Sequence, residues 1–361
     1  MRIGMVSIWF HRGQSEVTRT IRRALIDNGH EVFIFARMGG VFGRDMQEKD
    51  DPYWNLPDVH FYPKYEIPAQ VLAMWAKVNR LDTIIFNEEY SPLLGMAIRS
   101  MGVKTVQYVD FVSEKWTNGL REGYDALWSA TSRTSLLLRE MGLGDITTHI
   151  GWGVQPSTLH LGDETPKYDF FHNAGWLGIN FRKGTDIVIR ALSRLFYAGS
   201  RYTTLIHSQV PIHSLTSEIY LIACHLERNG ALEWRHDTVP VPGLYHLGKV
   251  CVQPSRLEGL GLTLVEALWQ GRSLITTDAP PMNEFVKHAE YLVQPESVTN
   301  RSDGLSFPEC AADVDELVNA MQWSLRDWRY AGRKNRQVAL YIFNWTSFCS
   351  RISSSLQALE A

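Results

Sequence analysis

Two glutamates, Glu258 and Glu266, enclose the run Gly259-Leu260-Gly261-Leu262-Thr263-Leu264-Val265, and these residue types suit one kind of ligand. Gly259 and Gly261 carry no Cβ, so a ligand can approach the backbone closely there. The apolar pattern predicts a helix from near Leu262, with Gly271 suited to the left-handed cap beyond its end. Unsatisfied N–H groups at the start of that helix, aided by its dipole, suit a phosphate. Carboxylates flanking a phosphate site are poor for the phosphate itself but good acceptors for sugar hydroxyls. A nucleotide sugar has that layout: hexose, diphosphate, ribose. Two solvated glutamates on a plain strand–turn–helix unit are the alternative for either residue taken alone.

The surrounding residues narrow the choice. The apolar stretch Val250-Cys251-Val252 and the turn Pro254-Ser255 lead in, and Ala267-Leu268-Trp269 follows. Together they resemble the Glu-x7-Glu signature of retaining glycosyltransferases of glycosyltransferase family 4, which have the two-domain GT-B fold. That signature reads Pro-Ser, a short spacer, Glu-Gly-Phe-Gly, then a helix with the second Glu followed by Ala; Leu260 stands here for the Phe. By position, the resemblance implies that Glu258 contacts the donor sugar hydroxyls and that Gly259, Leu260 and Gly261 shape the donor-binding turn. It further implies that the backbone at Leu262 and Thr263 holds the diphosphate and that Glu266 binds the ribose.

Cations are needed opposite a leaving diphosphate, and Arg182-Lys183-Gly184 opens a predicted helix. Two cations at a helix start oppose the dipole unless an anion sits there. The family has a Lys before Gly here, matched by Lys183, and an Arg several residues earlier. Gly175-Trp176-Leu177 replaces the usual Gly-Arg-Leu, which leaves Arg182 as the substitute. In the first half, Phe10-His11-Arg12-Gly13-Gln14-Ser15 fits a plain βα turn; by resemblance it is the family's glycine-rich loop, with Arg12 and Gly13 approaching the diphosphate across a cleft. Asp110, after Thr105-Val106-Gln107-Tyr108-Val109, stands where many members place a His beside the reacting sugar, and it also suits a turn or N-cap. Glu284, after Pro280-Pro281, matches a family Glu but reads first as a helix-start residue.

The elements that must position these groups follow an alternating rhythm of short apolar runs and helical patterns, as in parallel βαβ units. Strands are expected at Arg2–Ile8, Glu31–Ala36, Thr83–Phe86, Thr105–Val109 and Ala126–Ala130, with helices near Ser15–Asn28, Ala69–Arg80, Pro92–Met101 and Ser132–Met141. The second half continues with strands at Asp169–Ala174, Thr203–His207, Leu232–Arg235, Val250–Gln253, Ser273–Thr277 and Tyr291–Val293. The polar stretch 155–167 is the best boundary, after Ile150-Gly151-Trp152-Gly153-Val154-Gln155, which resembles the family's interdomain element. The expected fold class is α/β, GT-B: Rossmann-like domains at 1–160 and 161–335 facing a central cleft, with a closing helix at 336–361 bracing the first. Ligands of such folds bind at the carboxyl ends of the strands.

Composition bounds the rest. A chain of 361 residues is comfortable as two α/β domains. A hydrophobic content of 45% with 21% charged residues marks an ordinary globular protein, and a net charge of −3 gives no overall pull toward nucleic acid. The four cysteines lack metal-ligand spacing and fit buried free thiols in a reducing cytosol. The N-terminus reads as a strand rather than a signal peptide, so the sequons at Asn300 and Asn344 carry little weight. No apolar run reaches the roughly 20 residues of a membrane span. Arg19, Arg22 and Arg23 on the first helix suggest at most weak contact with the inner face of an anionic membrane. No Asp-x-Asp or paired-His motif predicts a metal. Trp75, Trp116 and Trp152 fit either core positions or a sugar subsite.

The resemblance implies a cytoplasmic, retaining hexosyltransferase without a cofactor, using a nucleoside diphosphate sugar and a glycan, lipid-linked or small-molecule acceptor. Catalysis would rest on Glu258, Lys183 and Asp110, with Arg182 and Lys183 helping the diphosphate leave from the front face. The loops 39–54 and 112–123 are the least family-like and would meet the acceptor. The rivals are another GT-B enzyme, such as a nucleotide-sugar epimerase or a phosphorylase, and a nucleotide-sugar-binding protein without turnover. No lysine context for pyridoxal phosphate supports the phosphorylase.

Overall fold

The computed structural model describes residues 1–40, 47–87, 89–158, 165–176, 179, 181–286 and 291–360; of these, the side chain of Trp116 lies outside the description. The chain divides into two compact units, one of Met1–Val154, Asp303–Ser306 and Phe343–Ala361 and the other of Gln155–Ser302 and Phe307–Ile342. Within the boundary stretch 155–167, residues 159–164 lie outside the described residues, as do 41–46 of the 39–54 loop.

In the first unit the chain runs β1 (Arg2–Ile8), α1 (Gly13–Asp27), β2 (Glu31–Arg37), β3 (Val59–Phe61), α2 (Ala69–Val78), β4 (Thr83–Asn87) and α3 (Pro92–Arg99). It continues through β5 (Lys104–Val109), the short α4 (Glu114–Thr117) and α5 (Leu120–Gly123), β6 (Ala126–Ser129), α6 (Ser132–Glu140) and β7 (Thr147–His149). The seven strands form one parallel sheet in the order β3-β2-β1-β4-β5-β6-β7. Central strands such as Arg2–Ile8 are apolar almost throughout because both faces are covered: Ile3, Met5, Val6 and Ile8 are all buried.

The second unit repeats the plan. It contains β8 (Tyr168–Gly175), α7 (Thr185–Tyr197), β9 (Thr204–Ser208), α8 (Ser217–Arg228), β10 (Leu232–His236), β11 (Gly248–Gln253), α9 (Leu262–Trp269), β12 (Ser273–Thr277) and β13 (Leu292–Val293). Its six-stranded parallel sheet has the order β10-β9-β8-β11-β12-β13. A separate antiparallel pair, β14 (Pro295–Thr299) and β15 (Glu309–Ala312), follows, then α10 (Val314–Ser324) and α11 (Trp328–Ile342). After Phe343 and Asn344 the chain forms α12 (Trp345–Glu360), which belongs to the first unit and packs on α1. There Asn28 Nδ2 donates to the Cys349 carbonyl at 2.8 Å and Trp345 Nε1 to Asp27 at 2.9 Å.

These two doubly wound parallel sheets are the expected fold class. Bounds at β1 and β12 coincide with the sequence expectation, and the other expected strands differ by a residue or two at their ends. β3, β7 and the β14–β15 pair were not expected. β3 and β7 are three-residue edge strands, too short for a periodic pattern, and β7 is the polar Thr147-Thr148-His149. Trp75 and Trp152 are buried core residues. The four cysteines are free; Cys251, Cys310 and Cys349 are buried, and burial pushes the Cys251 thiol up to about 12. Among the described residues no helix is long and apolar enough to cross a membrane.

Candidate functional site

The second sheet reverses its strand order between β8 and β11, and the loops leaving these neighbours carry the candidate residues. The β8 loop ends in Arg182-Lys183-Gly184 before α7, and the β11 loop runs Pro254-Ser255 to Gly261 before α9. Arg256 ties the two loops together. Its N–H donates to the Arg182 carbonyl at 2.8 Å, and its guanidinium meets the Asp186 carboxylate with two bonds of 2.7 Å. Gly184 has a φ of +68°, and a Cβ there would lie 2.1 Å from the Pro254 carbonyl oxygen. Only glycine permits that approach, so Lys183 is delivered directly beside the β11 loop.

The result is a buried cluster. Lys183 Nζ donates to Glu258 Oε1 at 2.6 Å and to Thr263 Oγ1 at 3.3 Å, with Lys183 5% and Glu258 2% exposed. Ser255 Oγ donates to the same Oε1 at 2.7 Å, and Arg182 Nη1 reaches Oε2 at 3.2 Å. Burial alone would raise the Glu258 carboxyl, but Lys183 and Arg182 beside it hold it below its usual range. At neutral pH the carboxylate is therefore charged and keeps its acceptor character in a dry site.

Gly261, with a φ of +79°, caps α9, and no acceptor among the described residues takes the N–H of Leu262 or Thr263. These two donors and the α9 dipole lie next to the Lys183 ammonium, an arrangement that attracts an anion. One turn on, Glu266 Oε2 accepts from Tyr245 OH at 2.6 Å, and the Tyr245 hydroxyl in turn accepts from Asn173 Nδ2 at 3.0 Å. Burial and the Glu266 charge push the Tyr245 phenol well above its ordinary value, so it stays a donor. Beneath Gly184, the buried His172 is gripped by the Val252 carbonyl at 2.7 Å and Thr185 Oγ1 at 2.9 Å. Asn173, His172 and Tyr245 carry no spacing signal that would have singled them out, and Ser255 was marked only as part of the Pro-Ser turn.

The structure thus brings Arg182, Lys183, Glu258 and Thr263 into one hydrogen-bonded group, with Gly259, Leu260, Gly261 and Leu262 forming the turn and Glu266 held separately by Tyr245. Trp176 is described, whereas Leu177 beside it lies outside the described residues. Glu284 sits in a single turn of 3-10 helix at Met282–Glu284.

The remaining candidates belong to the first unit, at the carboxyl ends of its strands. Arg12 is the N-cap of α1 without a side-chain cap bond, and Gly13 is exposed. The Arg12 guanidinium folds back to its neighbour's carbonyl at 2.7 Å, and burial lowers it to about 10 against the pull of Glu48. Asp110 is half-buried after β5, and its carbonyl accepts from Thr134 Oγ1 at 3.2 Å. Near Arg12 an aromatic group fixes the end of the 39–54 loop. Trp9 Nε1 donates to the Trp54 carbonyl at 2.7 Å, His11 stacks on Tyr53, and Tyr53 OH donates to Glu16 at 3.0 Å. The other expected acceptor segment pairs with the 303–306 stretch, where Ser306 N donates to the Val112 carbonyl at 2.8 Å. The three arginines of α1 are engaged inside this unit: Arg22 with Asp58 at 2.6 Å, Arg23 with Asp27 at 2.8 Å, and Arg19 over the Tyr53 ring at 3.6 Å.

Residues 214–337 match the model of the glycosyl transferases group 1 family. No curated protein matches the chain. Among solved structures, the chain is similar to Anabaena HepE in complex with UDP and glucose, with a TM-score of 0.75 at 14% identity over 99% of this chain and 100% of that one. It is also similar to a glycosyltransferase from Rickettsia africae, with a TM-score of 0.73 at 14% identity over 99% and 98% of the two chains. A third is the sucrose-phosphate synthase from Thermosynechococcus elongatus, with a TM-score of 0.69 at 16% identity over 99% of each chain. The chain has the GT-B fold of these structures, and the stretch that matches the glycosyl transferases group 1 model spans α9 and, apart from Asp303–Ser306, lies in its second unit.

Proposed function

We infer that the protein is a retaining glycosyltransferase that moves a hexose from a nucleoside diphosphate sugar to an acceptor hydroxyl. The observation that carries this reading is the buried Lys183–Glu258–Thr263 group at the capped start of α9. It combines a cation and two helix-start donors for a diphosphate with a charged carboxylate for sugar hydroxyls, and Glu266 one turn away for the ribose. The match to the glycosyl transferases group 1 model and the fold shared with the UDP-containing HepE structure support it.

In this reading the leaving diphosphate lies against the N–H groups of Leu262 and Thr263, and Lys183 and Arg182 stabilise the charge that grows as the glycosidic bond breaks. Donors fixed before the reaction are worth more in a dry site than in water. Glu258 holds the sugar, and its cations keep it from becoming protonated. No carboxylate in the cluster stands apart as a nucleophile, since Glu258 is engaged by Lys183, Arg182 and Ser255. The reading is therefore departure and attack on one face, without a metal. Arg12, Gly13 and Asp110 are proposed to complete donor binding and catalysis, and the loops 39–54 and 112–123 to meet the acceptor. The setting is proposed to be cytoplasmic.

UDP and UDP-sugars are the first ligands to test, by thermal stabilisation and then by product analysis. Transfer with the donor's anomeric configuration kept, in the presence of a chelator, is the expected result. Tight binding with no transfer to any acceptor would leave a nucleotide-sugar-binding protein, and inversion at the anomeric carbon would overturn the front-face mechanism.

A further inference from the structure

The stretch 326–342 contains five cations (Arg326, Arg329, Arg333, Lys334, Arg336) and one acid, Asp327, a local charge of +4 in a chain whose net charge is −3. Asp327 is already used, accepting from Tyr291 OH at 2.6 Å. Among the described residues no carboxylate pairs with any of the five cations. The helical repeat places Tyr330, Arg333, Lys334, Gln337 and Tyr341 on one face of α11, since they stand at i, i+3, i+4, i+7 and i+11. The opposite face, with Ala331, Gly332, Asn335 and Ala339, is buried. The outward face is not merely polar: Tyr341 is 86% exposed, Tyr330 52% and Leu340 46%, and Trp323 beside it 49%.

We propose that this outward face of α11, with Trp323 and Arg326 just before it, docks on an anionic lipid surface. Charge complementarity selects an acidic partner, and the amphipathic rings identify which kind. Tyr and Trp rings sit at the headgroup level of a bilayer, apolar body inward and polar edge in water, while Arg and Lys face anionic headgroups. A single-stranded nucleic acid would need open ring faces for stacking. Here a cation already lies over Trp323 (Arg326, 5.1 Å), Trp328 (Arg329, 4.4 Å) and Tyr330 (Lys334, 4.6 Å). The arginines of α1, in contrast, are engaged within their own unit. The surface does not depend on the donor-site reading, because lipid binding is measured without turnover.

The test is co-sedimentation of the full chain with vesicles of phosphatidylcholine alone or with about 30% phosphatidylglycerol. The expected result is salt-reversible binding to the anionic vesicles and little to the neutral ones. Arg326→Gln, Arg333→Gln and Lys334→Gln together should weaken anionic binding about 100-fold. Tyr330→Ser with Tyr341→Ser should weaken it independently, and this second variant decides the case should the first prove unstable in a thermal melt. Equal binding to both vesicles, or binding by both variants like the wild type, overturns the proposal. Binding of a single-stranded oligonucleotide that both variants lose, without vesicle binding, overturns it in favour of nucleic acid.

Discussion

At the scale of single residues, the Lys183–Glu258 pair joins stability to catalysis. Removing one member of a buried pair strands the other, so Lys183→Ala should cost about 3–5 kcal/mol of stability, read from urea melts. Under the proposed mechanism the same substitution lowers kcat at saturating donor by about 100- to 1000-fold. Arg182, at 36% side-chain exposure, is less buried, and Arg182→Ala should lose at least about tenfold in kcat with little change in stability. A wild-type kcat for Arg182→Ala would return that residue to the surface. Tyr245 is a positioning residue for Glu266. Tyr245→Phe removes a bond to a charged acceptor and should weaken nucleoside diphosphate binding about tenfold while leaving kcat at saturation nearly unchanged.

His172 gives a pH dependence with a definite sign. Burial lowers its imidazole from 6.5 to about 4, with Lys183 pulling the same way and the Val252 carbonyl and Asp186 opposing. The unfolded chain therefore binds this proton below 6.5, whereas the folded chain resists it until about 4. Its contribution is fully present above 6.5 and is lost as pH falls through that window, by about 3 kcal/mol in all. His172→Gln does not titrate, so the stability gap between wild type and variant should narrow as pH falls across the window. A gap independent of pH would assign the acid sensitivity to other groups.

At the scale of elements, two left-handed glycines set the starts of α7 and α9, and their neighbours make them unequal. Gly261→Ala meets a movable Leu264 side chain at 3.1 Å and Glu258 Cβ at an ordinary 3.8 Å, so its cost should stay near the roughly 1–2 kcal/mol of the left-handed conformation. Gly184→Ala puts a Cβ 2.1 Å from the Pro254 carbonyl, a backbone atom that cannot rotate away. It should destabilise more than Gly261→Ala in the same urea series and also reduce donor affinity, because the Lys183 and Glu258 loops must separate. Equal costs at the two positions would show that the loops give way freely.

At the scale of the whole molecule, ligand linkage should be strongest in the second unit, which carries the proposed diphosphate-binding donors. A nucleoside diphosphate at about 100 times its Kd stabilises its binding unit by about 2.7 kcal/mol. Hydrogen exchange should then slow in peptides covering 181–186 and 255–266, the two loops that Arg256 joins. If unfolding shows two transitions, the ligand should raise that of the second unit. Protection confined to the first unit would move the donor site away from α9.

The sequence by itself determined the periodic elements and the candidates on them. Central parallel strands are buried on both faces, so Arg2–Ile8 and Ser273–Thr277 could be read as strands directly from composition. Short edge strands such as Val59–Phe61 lack that signal. Lys183 and Thr263 were legible from their place at predicted helix starts, because capping and dipole effects are local in sequence, and Glu258 from the resemblance to the Glu-x7-Glu signature. What joins them was not: Lys183 and Glu258 stand 75 residues apart, and Tyr245 and Glu266 stand 21 apart. Only the order of strands in the second sheet makes β8 and β11 neighbours, and only a glycine at Gly184 lets their loops touch. The same holds for charge. Spacing drew attention to the arginines of α1; Arg23 pairs with Asp27 on the same helix, but Arg19 and Arg22 find Tyr53 and Asp58 far along the chain, while cations of α11 face outward because its small residues turn inward. Which cations meet a carboxylate distant in sequence, as Arg22 meets Asp58, and which face outward beside aromatic rings, the tertiary structure decided.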